Sequence, residues 1–122
     1  MLSPMSRFLT LLLVCTLCSC SKQQNVDFVQ SSPDKVRVLL ENDKVRVLEY
    51  SLKPGEKDNP HTHPPKTSYV ISGGRLRVYP EGEKPFDTEE MAGASEWADY
   101  RGLHYVENIG STTVTILLTE VK

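Results

Sequence analysis

No cysteine follows Cys20 in this 122-residue chain. The three that exist, Cys15, Cys18 and Cys20, crowd the N-terminus, so no disulfide framework can staple the body. Nor is there an excess of basic charge. Sixteen acidic residues against 14 Lys plus Arg give a net charge of −2. That excludes the broad positive field nonspecific nucleic-acid binding needs, so no nucleic-acid partner is expected. No apolar run reaches the roughly 20 residues of a membrane-spanning helix. No segment sustains a helical period and no internal repeat is present, although 88–97 has room for a turn or two around Gly93. What remains is ordinary for a folded domain, with 39% hydrophobic and 25% charged residues, too apolar for a disordered chain. The length allows one domain and excludes large barrels of alternating strand and helix.

The longest apolar stretch is short. Phe8 to Leu17 is ten residues, eight of them apolar with Cys15 counted, and Arg7 is the only charge before Lys22. This is the length of a signal-peptide core rather than a membrane span. Leu17-Cys18-Ser19-Cys20 follows. It resembles a bacterial lipobox, with Leu at −3, a small residue at −1 and the lipid-bearing Cys at +1. The resemblance implies a lipoprotein signal peptide over 1–19, cleavage before Cys20 and acylation of Cys20, palmitate being a typical chain. Each buried CH₂ contributes about 0.8 kcal/mol, so several chains anchor firmly. An ordinary signal cleavage would release a free secreted protein instead. Residues 20–34 are polar with little to bury and read as a tether. Ser21 stands where Gram-negative lipoproteins retained at the inner membrane tend to carry Asp. The expected location is the cell envelope, on a membrane through Cys20, at the periplasmic face of the outer membrane if the source is Gram-negative.

The body reads as short strands. Val36, Val38 and Leu40 alternate with Lys35 and Arg37, and Val45 to Leu52 is a β-rich run. Leu76 and Val78 alternate with Arg75, Arg77 and Tyr79, and Val114, Ile116 and Leu118 with threonines. A period of two marks strands with one buried face. Pro54-Gly55 suits a type II turn. Gly73-Gly74 between two β-rich runs is a hairpin signal. Asn108 to Ser111 reads as another turn, with Asn108 fixing it. The expected fold is all-β, a small antiparallel barrel or sandwich over 35–122.

Histidine is scarce, and its placement carries the chemistry. His61-Thr62-His63 sets two imidazoles on one face of an extended segment, half a metal site, and His104 is the only other histidine. Neutral imidazole suits zinc, iron, nickel and copper. Five residues separate Gly55 from His61. Three residues separate His63 from Thr67, and six separate Thr67 from Gly74. Downstream, five residues separate Gly93 from Asp99, two lie between Arg101 and His104, and three between His104 and Asn108. These spacings resemble the two motifs of the cupin superfamily: Gly, five residues, His-x-His, three or four residues, Glu, six residues, Gly; then Gly, five residues, Pro-x-Gly, two residues, His, three residues, Asn. The resemblance covers nearly all of the chain after the leader. It implies a double-stranded β-helix (jelly-roll-like), with His61, His63 and His104 as ligands of one divalent transition metal, of which Fe, Zn, Mn and Ni are all eligible.

The departures matter too. Thr67 holds the Glu position and Ser68 is no better as a ligand; Asp99 and Arg101 replace the Pro and Gly. Three neutral ligands leave a divalent ion its full charge, which favours a small, anionic molecule at its open positions. Some cupins use three His with iron in dioxygenases; three His can equally hold zinc with an open position. Lys66 and Arg101 are candidates to attract an anion. Asp58 and Asp99 are candidate replacement ligands or bases. Tyr69 and Asp99 are the candidate catalytic residues, Tyr69 reading equally as cavity lining or core, and Trp97 reads as packing. Two functions stay open. One is a lipid-anchored cupin whose three-His metal site binds or transforms a small molecule. The other is a non-catalytic binding or structural envelope lipoprotein with a metal-free barrel. Small cupins often pair, so a homodimer is among the expected assemblies.

Overall fold

The computed structural model describes residues 23–122. The leader 1–19 and Cys20 lie outside the described residues. Among those described, one helical turn α1 (Phe28–Ser31) precedes nine strands: β1 (Val36–Glu41), β2 (Val45–Leu52), β3 (His61–His63), β4 (Lys66–Ser72), β5 (Gly74–Pro80), β6 (Phe86–Glu90), β7 (Ser95–Ala98), β8 (Arg101–Asn108) and β9 (Val114–Val121). All pair antiparallel, in a five-stranded sheet of order β1-β2-β9-β4-β7 and a four-stranded sheet of order β3-β8-β5-β6. The all-β fold expected from the two-residue periodicity is the one observed. No described helix is long and apolar enough to cross a membrane.

The core is the space between the sheets. Leu48, Tyr50 and Leu52 from β2, Val114, Ile116 and Leu118 from β9, and Val70, Leu76 and Val106 fill it. On β2 and β9 the period-two pattern translates directly into burial, because both strands have a neighbour on each side and one face on the core. Between β2 and β3 the chain reverses at Lys53–Glu56. There the Glu56 N–H donates to the Lys53 carbonyl at 3.0 Å, with Pro54 second and Gly55 third at φ +80°, as expected of a type II turn.

Four expectations give way. Val38 and Leu40 are exposed, at 40% and 50%, because β1 is an edge strand whose pairing with β2 shifts register between Val38 and Leu40; only Val36 reaches the core. Gly73-Gly74 is not a hairpin turn. β4 and β5 belong to different sheets, and the glycines carry the chain from one sheet to the other. A Cβ on Gly73 would collide with the Glu90 carbonyl oxygen, and one on Gly74 would sit 2.6 Å from Thr112 Oγ1, so the crossing needs residues without side chains. The stretch 88–97 holds no helix: it ends β6, turns at Gly93 (φ +85°) and begins β7.

Finally, the stretch expected to be a tether is docked over most of its described part. Val26 and Thr62 exchange backbone and side-chain hydrogen bonds at 2.9–3.1 Å. Asp27 caps α1 by accepting from the Gln30 N–H at 3.0 Å. Phe28 is 1% exposed, a core residue. A single large aromatic outweighs the polar residues around it, so the packed body begins before residue 35.

Candidate metal centre

β3 is only three residues long, yet all three are buried. Alternation turns His61 and His63 into the cavity and Thr62 outward, where it holds the N-terminal segment. β3 pairs with β8, which sets His61 directly opposite His104. The three imidazoles therefore converge. Their ring centroids are 4.5–5.4 Å apart, and one nitrogen from each lies within 4.8 Å of the others. The cluster that the spacings imply is assembled.

The hydrogen bonds fix which nitrogen does what. His61 Nδ1 lies 2.8 Å from the Asn59 carbonyl and His104 Nδ1 2.7 Å from the Gly102 carbonyl. A carbonyl only accepts, so both Nδ1 atoms carry the proton. His63 Nδ1 lies 3.0 Å from Glu120 Oε1, and Glu120 in turn accepts from Arg46 at 2.7 and 2.9 Å. A carboxylate held by a guanidinium is ionised, so His63 also donates from Nδ1. All three Nε2 atoms are left as bare lone pairs. Two of them, on His61 and His63, stand 3.1 Å apart. Lone pairs at that distance repel unless a cation lies between them. Two nitrogens each bound at about 2.0–2.1 Å to one ion stand about 3.0–3.4 Å apart at ordinary coordination angles. The donor set fits a metal.

Burial points the same way. It drives His61 down to about 2, with its neighbours His63 and His104 adding to the effect, and holds His63 and His104 below their ordinary value as well. The cluster resists protons and keeps its lone pairs available at neutral pH.

Two supporting residues were missed by the sequence reading. Phe28 stacks on His61, centroids 3.7 Å apart and planes 16° off parallel, and meets His63 edge-on at 5.1 Å. It lay inside the stretch read as tether. Glu120, 2% exposed, follows Val114, Ile116 and Leu118 on the inward face of β9, and continuing that alternation by one step would have found it.

The cluster opens on a cavity of about 540 Å³ between the sheets. Lys66, Ser68 and Arg101 line it beside the histidines; Leu76, Val106 and Ile116 supply apolar wall, and Glu90 and Glu96 add negative charge. Burial lowers the Lys66 ammonium toward its neutral form, and among the described residues Lys66 has no hydrogen-bond or ion-pair partner.

Several candidates fall elsewhere. On β4, Lys66, Ser68 and Val70 face in, so Thr67 and Tyr69 face out; Tyr69 is 49% exposed and does not line the cavity. The inward position equivalent to the motif's Glu is therefore Ser68, at the four-residue spacing. Asp99 is exposed on a loop and accepts from the Trp97 indole N–H at 3.0 Å, away from the cavity. Trp97 itself is 55% exposed and packs no core. Asp58 is buried, but one oxygen accepts from the Tyr50 hydroxyl at 2.8 Å and the other from the Val106 N–H at 2.7 Å. It approaches His61 only on the Nδ1 side, at 3.9 Å, so it is no metal ligand. Asn108 fixes its turn as expected, donating to Leu52 and Thr112 carbonyls and accepting from the Gly110 N–H.

No protein-family model matches the sequence, and no curated protein matches it. Solved structures do resemble it in fold. A cupin domain from Bordetella pertussis superposes with a TM-score of 0.67 at 20% identity, covering 83% of this chain and 97% of the other. A protein with a double-stranded β-helix domain from Klebsiella pneumoniae gives 0.57 at 22% identity, covering 77% and 83%. A predicted oxalate decarboxylase from Thermotoga maritima gives 0.52 at 22%, covering 70% and 77%. The fold is the cupin double-stranded β-helix.

Proposed function

We propose that this chain is a lipid-anchored protein of the cell envelope whose three histidines hold one divalent transition metal, and that the centre binds a small anionic molecule in the cavity beside it. The observation that carries the metal is the tautomer arrangement. Three Nδ1–H groups are each committed to an acceptor, which leaves three Nε2 lone pairs in one cluster, those of His61 and His63 3.1 Å apart. Bound there, the ion would act as a Lewis acid on an oxygen anion in the cavity. The protein's own part is to hold the imidazoles, exclude water with Phe28 and the apolar wall, and neutralise the anion's remaining charge.

Lys66 and Arg101 supply that neutralisation. A partly buried ammonium without a partner gains from any anion that reaches it, and it lines the same cavity as the histidines. The Thermotoga maritima neighbour is a predicted oxalate decarboxylase, and oxalate is a small dianion, the same chemical class. Whether the bound anion is transformed or only held depends on the metal, redox-active iron favouring turnover. The anchor rests on Cys20 in its lipobox setting.

The deciding experiment is metal analysis of protein from its native compartment, with thermal unfolding of the wild type and of His61→Ala, His63→Ala and His104→Ala, with and without zinc, manganese or iron(II). The proposal expects one ion per chain and a metal response in the wild type alone. Four equal responses, or none, leave a metal-free barrel. Mass spectrometry finding an unmodified Cys20 in the mature chain would end the anchor.

A further inference from the structure

The carboxylate that this site lacks among its ligands stands one imidazole away. Glu120 occupies an inward position that β9 otherwise fills with Val114, Ile116 and Leu118. Its two oxygens have separate tasks: Oε2 takes both Arg46 contacts, at 2.7 and 2.9 Å, and Oε1 takes the His63 Nδ1–H at 3.0 Å. Arg46 is shared with Asp27, its guanidinium 2.6 Å from Asp27 Oδ2. Two carboxylates and one guanidinium leave this row with one net negative charge, and the end that touches the histidine cluster is the carboxylate. His61 and His104 donate their Nδ1–H to neutral carbonyls; the carboxylate on the Nδ1 side of His61, Asp58, stands 3.9 Å away, beyond hydrogen-bond reach.

A buried ion pair is weak evidence for stability, since apolar residues in its place often do as well or better. The row therefore calls for another explanation. A carboxylate behind a ligating imidazole fixes its tautomer and its ring orientation and raises the basicity of the nitrogen opposite. Resting on the metal-site reading above, we infer that Glu120 is a positioning residue that makes His63 the strongest donor of the three, and that Asp27 and Arg46 hold it for that task. Asp27 is also the cap of α1, whose Phe28 stacks on His61. The N-terminal segment thus braces two ligands at once, His61 through an aromatic face and His63 through the charged row.

Zinc titration of the full chain against a competing chelator tests this. Glu120→Gln removes the charge and keeps the shape. It should weaken zinc binding by about 10–100-fold, with the circular dichroism spectrum unchanged. A smaller loss in a folded E120Q protein overturns the role of Glu120 while leaving the metal site standing. Failure of the wild type to bind zinc removes the metal-site reading and this step with it. Where E120Q does not fold, the wild type decides: long-range ¹H–¹⁵N correlation on the histidine-labelled, zinc-loaded chain should show His63 protonated at Nδ1 with its proton shifted further downfield than those of His61 and His104. A His63 protonated at Nε2, or one indistinguishable from the other two, overturns the inference.

Discussion

Strand β9 buries two kinds of side chain on one face: Val114, Ile116 and Leu118 toward one end, Glu120 at the other. The apolar length packs against Leu48 and Leu52 of β2, both fully buried, and its contribution scales with area removed from water, about 25 cal/mol per Å². The charged end obeys different arithmetic. Glu120, Arg46 and the histidine Nδ1–H groups lose hydration on burial and recover it through hydrogen bonds to one another, to Asp27 and to the Asn59 and Gly102 carbonyls. One end of the barrel stabilises the fold, and the other spends that stability on holding donors in place. A folded apolar half is the precondition for an organised polar half, not the reverse.

That contrast can be broken from either side. The largest effect belongs to the apolar end. Leu52→Ala should destabilise by about 2–5 kcal/mol in denaturant unfolding, yet leave the metal-induced rise in Tm of whatever remains folded unchanged. Loss of both together would mean the two ends are not separable. The polar end should behave oppositely. His63→Ala should cost the metal-induced stabilisation, about 2.7 kcal/mol at a hundredfold excess of metal over Kd.

Acid should erode the same end. The histidines sit below their unfolded value, so the unfolded chain binds more protons as pH falls beneath about 6.5. Stability present above that pH is lost progressively on the way down, toward about 2 for His61, by at most about 1.4 kcal/mol per pH unit for each histidine. Asp58 works against this. Burial raises it to about 6, so between about 6 and its ordinary 3.8 the folded chain takes up the extra proton. That offsets one histidine, not three. Urea unfolding of metal-free protein from pH 7.5 to 5 should therefore show falling stability; a flat profile would mean the cluster is hydrated.

The smallest effects sharpen the contrast within one strand. Ser68→Glu places a carboxylate in the cavity and should tighten zinc about tenfold or more, near the worth of one charged ligand bond. Thr67→Glu, on the outer face, should leave zinc affinity and stability within about 0.5 kcal/mol of wild type. Tightening by Thr67→Glu and not by Ser68→Glu would mean that β4 is turned the other way.

β4 also shows where sequence reasoning stops. Lys66-Thr67-Ser68-Tyr69-Val70-Ile71-Ser72 has polar and apolar residues at both parities, so alternation does not say which parity faces in, and the three-or-four spacing of the motif leaves the same ambiguity. β9 was legible through Leu118 because its threonines mark the outer face. It failed at Glu120, where a charged residue on the inward parity looks like the end of the pattern rather than its continuation. The histidine trio was legible because three rare residues fell in two spaced motifs. Phe28 was not, since one aromatic in a polar stretch has no periodicity to betray it, and the glycine crossing was not, since pairing across sheets is a tertiary fact.

The charged row has a consequence for the order in which the molecule is made. His63 and Glu120 are 57 residues apart, and Arg46 and Glu120 are 74. Such pairings close long loops and form late, after local strands have met. Until β9 is in place His63 has no carboxylate behind it, and until the N-terminal segment docks His61 has no aromatic face. A partly folded chain therefore offers scattered imidazoles rather than a centre. On the proposed metal-site reading, the centre is complete only where the last strand closes.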